Sequence, residues 1–144
     1  MTCLLDTSVL LASVLESHAH HPRARSVVDE VRRGDVVGYV SAHALAELYA
    51  VLTRIPVSPS IGPEAAHRMI RDNILGNFEV VALTAGDYRR LIEELPERSV
   101  AGGATYDALH AACARKAGVD RIYTFNVSDF RRVAPDLTSK IVAP

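Results

Sequence analysis

The sequence predicts an α/β fold, a three-layer α/β/α sandwich around a central, mainly parallel sheet. Two observations support this prediction. Short apolar segments of strand length alternate with longer amphipathic segments of helix length, and the alternation runs through the whole chain. The 144 residues are enough for one ordinary domain with a substantial core, which we take to span residues 1–144.

In the first half of the chain, strand and helix signals follow one another. Pro22 begins a segment with valines at helical spacing, and Gly34 ends it. Proline in the first turn and glycine just after the last are typical of a helix. Ser41 is the expected N-cap of the helix that carries Glu47. The predicted elements are a strand over 2–5, a helix from about Ser8, a helix over 22–33, a strand over 36–40, a helix over 42–54, a loop over 55–63 and a helix over 63–75.

The second half continues the same alternation. We expect Thr84 to cap one helix and Gly118 to end the next. The predicted elements are a strand over 78–83, a helix over 85–95, a helix over 104–117, a strand over 121–125, a short helix over 128–133 and a final strand over 139–143. The sequence contains no internal repeat or low-complexity segment.

Composition and charge are those of an ordinary globular protein, with 49% hydrophobic and 23% charged residues. The net charge of -1 provides no overall basic field for binding nucleic acid. The apolar stretch over 9–15 is too short for a membrane span, which needs about 20 residues, and no basic segment precedes it. Cys3 and Cys113 lie in apolar segments and are typical of small core residues in a reducing compartment. We therefore expect a cytoplasmic protein with no membrane partner.

A lone carboxylate interrupts the apolar start of the chain, MTCLLDTSVLLA. Asp6 follows the first predicted strand, and ligands of parallel sheets bind at the carboxyl ends of the strands. An unpaired carboxylate is rarely buried without hydrogen bonds, a cation or a metal. Asp6 is therefore a candidate functional residue.

Two further acids stand alone on largely apolar helices. Glu47 is the only charged residue between Ala42 and Leu52 and has no Lys or Arg three or four positions away. The alternative is a carboxylate that simply reaches solvent. Asp107 is the only acid in GGATYDALHAACA. With Thr105 as N-cap, Asp107 would also lie in the first turn of its helix and interact favourably with the helix dipole.

The segment YTFNVSDF follows the fourth strand and adds polar residues at the same edge of the sheet. A structural explanation is available, because Asn126 could cap the next helix with Asp129 three residues later, as in a capping box. Asp6, Glu47, Asp107 and Asp129 would repel one another if they converged without cations. A hard divalent cation removes that conflict, since carboxylate and water oxygens suit Mg²⁺ and Mn²⁺.

The sequence resembles the PIN domain, specifically the VapC-type toxins of bacterial toxin–antitoxin pairs. The resemblance covers essentially the whole chain and lies in four segments in order: LLDTSVLLA, SAHALAELYAVLTR, TYDALHAACARKAG and IYTFNVSDFRRV. By motif, Asp6, Glu47 and Asp107 match the three core acids of the family. Asp129 matches the usual fourth acid, and Asn126 occupies a position that is acidic in some members. Thr7 and Thr124 match polar positions beside the metal.

The resemblance implies a metal-dependent endoribonuclease that cleaves cellular RNA by metal-activated attack of water on the phosphodiester and so inhibits translation and growth. It implies Mg²⁺, with Mn²⁺ as a substitute, held most directly by Asp6 and Asp107. Glu47 would bind through water or act as general base, and Asp129 would hold a second or weaker ion. It also implies a homodimer and a VapB-type antitoxin as partner. Toxin and antitoxin together would form complexes of four or more chains. The helix ending at Arg54 and the IPVSPS loop would contact the antitoxin.

Two other functions remain open from the residues. His43 and Glu47 are one turn apart, as are Asp107 and His110, and two such pairs could bind zinc or another transition metal in a phosphoester hydrolase. The histidines at 18, 20 and 21 form a second cluster. A non-catalytic PIN-like module that binds RNA or protein is the other alternative, although such a module would not need the full set of acids.

Overall fold

Five parallel strands form a single sheet in the computed structural model, which describes residues 1–144. The sheet order is β3-β2-β1-β4-β5, and every neighbouring pair is parallel. The strands are β1 (Thr2–Leu5), β2 (Val37–Ser41), β3 (Glu79–Val81), β4 (Arg121–Tyr123) and β5 (Ile141–Val142). The predicted α/β fold with a central parallel sheet is confirmed.

Seven α-helices cover the two faces of the sheet. They are α1 (Thr7–Val14), α2 (His21–Arg33), α3 (Ala42–Leu52), α4 (Pro63–Ile70), α5 (Ala85–Glu97), α6 (Ala104–Ala117) and α7 (Val127–Val133). A π-helical turn (Arg71–Leu75) follows α4, and a 3-10 helix (Pro135–Lys140) precedes β5. None of these helices is both long enough and apolar enough to cross a membrane.

The core has two halves because successive strand residues point to opposite faces of the sheet. In the fully buried strand β1, Leu5 packs among residues of α1 to α4, whereas its neighbour Leu4 packs among residues of α5 to α7. Both residues are completely inaccessible to solvent. The apolar run that begins the chain is therefore the central strand of three layers.

The chain reverses direction across the sheet between β1 and β4. From β1 it builds outward to β2 and β3, and then crosses back to add β4 and β5 on the other side. The carboxyl ends of β1 and β4 consequently lie side by side at the switch point, the usual ligand-binding position of an open α/β sheet. Asp6 and Thr124 directly follow these two strands.

One glycine is required by a close approach between elements. A Cβ atom at Gly38 of β2 would lie 2.5 Å from the Phe78 ring and 2.8 Å from the side chain of Val31. Phe78 is buried. The missing side chain thus lets the Phe78 ring lie against the backbone of β2.

Several predicted boundaries are wrong in detail. The helix predicted over 63–75 changes at Ile70 into the π-helical turn. The N-cap of α6 is Gly103 and not Thr105, because a turn at Gly102, with a φ of 59°, brings the chain into the helix earlier. Asn126 does precede α7, but its side chain makes no cap hydrogen bond, so the predicted capping box is absent. Its backbone is not extended, and its N–H donates to the Thr124 hydroxyl instead.

Candidate active site

Asp6 is buried and is held entirely by neutral donors. It caps α1, where its Oδ1 accepts hydrogen bonds from the Ser8 hydroxyl (2.6 Å) and the Val9 N–H (3.1 Å). Its Oδ2 accepts a hydrogen bond from the Thr124 hydroxyl (2.7 Å). Burial raises the pKa of Asp6, and the hydrogen bonds from Ser8 and Thr124 oppose that rise. The carboxylate therefore has the hydrogen bonds its burial requires, but no Lys or Arg partner.

The same hydrogen bonds join the two loops at the switch point. Thr124 follows β4 and is fully buried; its hydroxyl donates to Asp6 and accepts from the Asn126 N–H (2.9 Å). The Phe125 N–H donates to the Ser8 hydroxyl (3.2 Å). Asp6 and Asn126 are thus fixed relative to each other although 118 residues separate Asp6 from Thr124.

Glu47 lies on α3 with a side chain that is 30% exposed. Its Oε1 lies 3.0 Å from the His43 Nε2, one turn earlier on the same helix, and 3.2 Å from the His110 Nε2 of α6. Burial works to raise the pKa of Glu47. A hydrogen bond from His110, helped by the nearby His43, outweighs burial and holds that pKa below its ordinary value. Glu47 is therefore ionised at neutral pH.

Asp107 lies in the first turn of α6 and differs from Glu47 in its electrostatics. Its pKa rises from an ordinary value of 3.8 to about 6, mainly because of burial and then because of the negative charge of Asp6. The charges of Asp129 and Glu47 contribute in the same direction. The four acids singled out in the sequence are thus near enough in space for their charges to interact.

Three of these acids line one pocket of about 260 Å³. The pocket is lined by Asp6, Thr7, Ser8, Leu11, Glu47, Gly103, Tyr106, Asp107, His110 and Asn126. These carboxylates share the pocket, but no three metal-ligating side chains lie close enough together to surround one ion. The donor chemistry suits Mg²⁺ or Mn²⁺, which prefer carboxylate and water oxygens. In addition, the Thr7 hydroxyl is buried with no protein hydrogen-bond partner, so it is a further oxygen in this pocket.

The two candidates for the fourth position are placed differently. Asn126 lines the pocket. The side chain of Asp129 is 58% exposed and lies 3.8 Å from Arg132, one turn later on α7. Asp129 does not line the pocket, although its charge still acts on Asp107.

Three polar residues of the pocket are not among the predicted site residues. Ser8 and Tyr106 were not singled out, and His110 was considered only as a zinc ligand. The Tyr106 ring of α6 stacks on His43 of α3, with 4.9 Å between centroids and 7° between planes, and His43 in turn contacts Glu47. The available signal was the position of His110, three residues after Asp107 and four after Tyr106, since residues three or four apart share a helix face.

The histidines are engaged with protein groups. His110 contacts Glu47 through Nε2 and the Ser41 hydroxyl through Nδ1 (2.9 Å). His18 and His20 both stack against Phe125, and His21 bonds to the carbonyl of Ala12. These partners favour structural and orienting roles for the histidines over the zinc alternative.

A larger pocket of about 390 Å³ lies between α5 and α6. Its charged groups are paired: Asp87 with Arg90 and Lys116, Glu94 with Arg98, and Arg115 with Asp136 outside the pocket. Because these charges are already balanced, this pocket offers no group of unpaired acids. The acidic pocket is therefore the better candidate for an active site.

Comparison with known proteins gives a consistent result. Residues 3–135 match the family model described as the PIN domain. The chain is 42% identical over 113 residues to Ribonuclease VapC40 of Mycobacterium tuberculosis, covering 78% of each protein. It resembles the crystal structure of M. tuberculosis VapC20, a sarcin-ricin loop cleaving toxin, with a TM-score of 0.68, 22% identity and coverage of 88% of this chain and 92% of that one. It also resembles VapBC2 from Rickettsia felis bound to a DNA fragment from its promoter, with a TM-score of 0.63, 19% identity and 92% coverage of both chains.

Proposed function

The chain belongs to the PIN domain family and, within it, to the VapC-type ribonucleases, and we propose from this membership that it is the toxin of a toxin–antitoxin pair. Its activity would be Mg²⁺-dependent endonucleolytic cleavage of cellular RNA, with Mn²⁺ able to replace Mg²⁺. Residues 1–144 would act as a single PIN domain in the cytoplasm. The cleavage would inhibit translation and growth.

The proposal depends most on one observation. Asp6, Glu47 and Asp107 come from three separate elements, yet they line the same pocket. Clustered carboxylates are costly to a folded protein because each disfavours ionisation of the others. Burial is the largest cause of the raised pKa of Asp107, and the charges of Asp6, Asp129 and Glu47 raise it further. A protein that only needed a stable fold would have no reason to keep these acids together.

We assign each acid a role according to its surroundings. Asp6 and Asp107 would hold the cation most directly, with Asp129 near a second or weaker ion and with Thr7, Thr124 and Asn126 as supporting polar groups. When bound, the divalent cation would activate a water for attack on an RNA phosphodiester and neutralise the charge that develops on the leaving oxygen. Glu47 would accept the proton of that water, because it lines the pocket and is ionised at neutral pH.

We also propose a VapB-type antitoxin as the partner of this chain, together with a homodimer that forms larger complexes with it. The neighbour from R. felis is a VapBC protein. One side of α3 exposes three apolar residues: Tyr49, which is 40% exposed, and the neighbouring Ala46 and Ala50. This apolar strip lies on the helix that carries Glu47 and leads to the loop over 55–62, where we expect the antitoxin to bind.

The test of the proposed activity is RNA cleavage by the purified protein in EDTA and with added Mg²⁺, Mn²⁺ or Zn²⁺. We expect cleavage with Mg²⁺ and Mn²⁺ only, and none by Asp6→Asn. An Asn at position 6 can still accept the bonds from Ser8 and Val9, so this variant should fold, as circular dichroism would check. Unchanged cleavage by Asp6→Asn would refute the proposal.

The same assay separates the alternatives. Cleavage that requires Zn²⁺ and is lost in His43→Ala would favour the transition-metal hydrolase. RNA binding without cleavage under any metal would favour a non-catalytic module. In cells, induction of wild type without its antitoxin should arrest growth and degrade RNA, whereas induction of Asp6→Asn should do neither.

A further inference from the structure

We propose that His110 is a positioning residue that orients Glu47, and that Ser41 sets the orientation by fixing which nitrogen of His110 carries the proton. This inference rests on the proposed function, since it assigns Glu47 a part in the reaction. His110 itself would touch neither RNA nor the cation. It would act through Glu47.

The geometry of His110 allows only one arrangement of the ring. The residue is 2% exposed, and both of its nitrogens have protein partners. Its Nδ1 lies 2.9 Å from the Ser41 Oγ, and its Nε2 lies 3.2 Å from the Glu47 Oε1. A ring held at both ends in the core cannot turn without breaking two contacts.

The direction of the hydrogen bonds follows from Glu47 and Ser41 together. The ionised Glu47 carboxylate can only accept, so the Nε2 of His110 must carry a proton. As the N-cap of α3, the Ser41 Oγ already accepts a hydrogen bond from the Ala44 N–H (2.9 Å). Its own proton is therefore available to donate to the Nδ1 of His110, which then acts as an acceptor. A neutral imidazole whose Nδ1 accepts must carry its proton on Nε2, and Nε2–H then donates to Glu47.

Glu47 needs such an anchor because its side chain is long and lies at the edge of the pocket. His43 also lies 3.0 Å from the same oxygen, but its Nε2 has no hydrogen bond of normal geometry and its side chain is 29% exposed. His110 is therefore the rigid contact. With Oε1 engaged, Oε2 is the oxygen that remains for the reaction.

The arrangement links the two helices that carry the acids. Asp107 and His110 are three residues apart on α6, so one helix supplies a carboxylate and also the group that orients the carboxylate of α3. Ser41 begins α3 and contacts His110 of α6 across 69 residues of sequence. Small movements of either helix are thus coupled to the position of Glu47.

Two substitutions of His110 separate positioning from packing. In His110→Gln the amide nitrogen can take the place of Nε2 and still donate to Glu47, whereas in His110→Asn the shorter amide reaches only Ser41. Cys113→Ala is the matched control, since Cys113 is buried one turn later on the same helix face. We expect His110→Asn to lower kcat for RNA cleavage by about 10- to 100-fold with little change in KM, as for other groups that orient a ligand residue. His110→Gln should keep clearly more activity, and Cys113→Ala should keep all of it.

A second readout does not depend on activity. In the metal-free protein, ¹⁵N NMR of the imidazoles should show His110 with its proton on Nε2 and an unprotonated Nδ1. Ser41→Ala should shift that tautomer balance and lower kcat in the same direction as His110→Asn. Equal kcat values for the Asn and Gln variants, or a proton found on Nδ1, would overturn the inference. If wild type cleaves no RNA, the proposed function fails, and the NMR result still decides whether Ser41 and His110 are arranged as proposed.

Discussion

Replacing Asp107 by Asn should stabilise the metal-free protein, although it removes a residue that we propose to be essential. Burial and the neighbouring carboxylates raise the pKa of Asp107 from 3.8 to about 6, so its ionised form is unfavourable in the folded state. A difference of about two pH units corresponds to about 3 kcal/mol. Because the residue is only half-buried, solvent screening reduces this to about 1.5 kcal/mol.

The sign of the pH dependence follows from linkage. The folded-state pKa is the higher one, so the cost of ionising Asp107 is absent below its ordinary pKa of 3.8 and complete above about 6. The free energy of unfolding of wild type should therefore fall by this amount as the pH rises from 3.8 to about 6, and that of Asp107→Asn should not. For a domain of this size, 1.5 kcal/mol corresponds to a rise in Tm of about 4–6 °C.

The assay is thermal unfolding in EDTA at pH 7.5 and at pH 4. At pH 7.5 Asp107→Asn should have the higher Tm, and at pH 4 the difference should nearly vanish. Added Mn²⁺ or Mg²⁺ should raise the Tm of wild type but hardly that of the variant, since ligand binding stabilises only a competent folded state. Asp72→Asn is the control, because Asp72 is an exposed carboxylate that pairs with Arg71. A lower Tm for Asp107→Asn at pH 7.5 in EDTA would refute the electrostatic reasoning.

Three further predictions concern the site and the fold. Asp129→Asn should reduce RNA cleavage less than Asp107→Asn, because Asp129 is exposed, lies near Arg132 and does not line the pocket; equal losses of kcat would contradict this. Thr124→Val should lower the free energy of unfolding by about 1–3 kcal/mol, since it removes the hydroxyl that joins Asp6 to the Asn126 N–H. Urea titration measures that change, and the exposed Thr138→Val, which loses only a bond to the carbonyl of Pro135, should change stability less. Gly38→Ala should cost about 1–3 kcal/mol by overpacking, since its Cβ would meet the Phe78 ring at 2.5 Å. The control is Gly86→Ala in the first turn of α5, where the nearest atom is 3.7 Å away; it should be neutral or stabilising. If Gly38→Ala were as stable as wild type, the Phe78 ring would have to move freely, which would contradict the prediction.

The layered fold and the elements that carry the acids could be predicted from the sequence, because they depend on local patterns. An uninterrupted apolar run such as that of β1 indicates a strand buried on both faces. Ser41 and Thr84 are the N-caps of α3 and α5, as predicted from their positions directly before segments of helix length. The isolation of Asp6, Glu47 and Asp107 among apolar neighbours was also visible, since a missing local partner is a property of the sequence itself.

The partners of those acids were decided only by the tertiary structure. Thr124 donates to Asp6 from 118 residues away and His110 to Glu47 from 63 residues away, and neither contact leaves a trace in local spacing. Likewise, Asn126 lines the pocket and Asp129 does not, although both follow the same strand. The physical reason is that strand order and helix packing set the distances between side chains remote in sequence. Burial and charge, which decide the opposite pKa shifts of Glu47 and Asp107, depend on those distances.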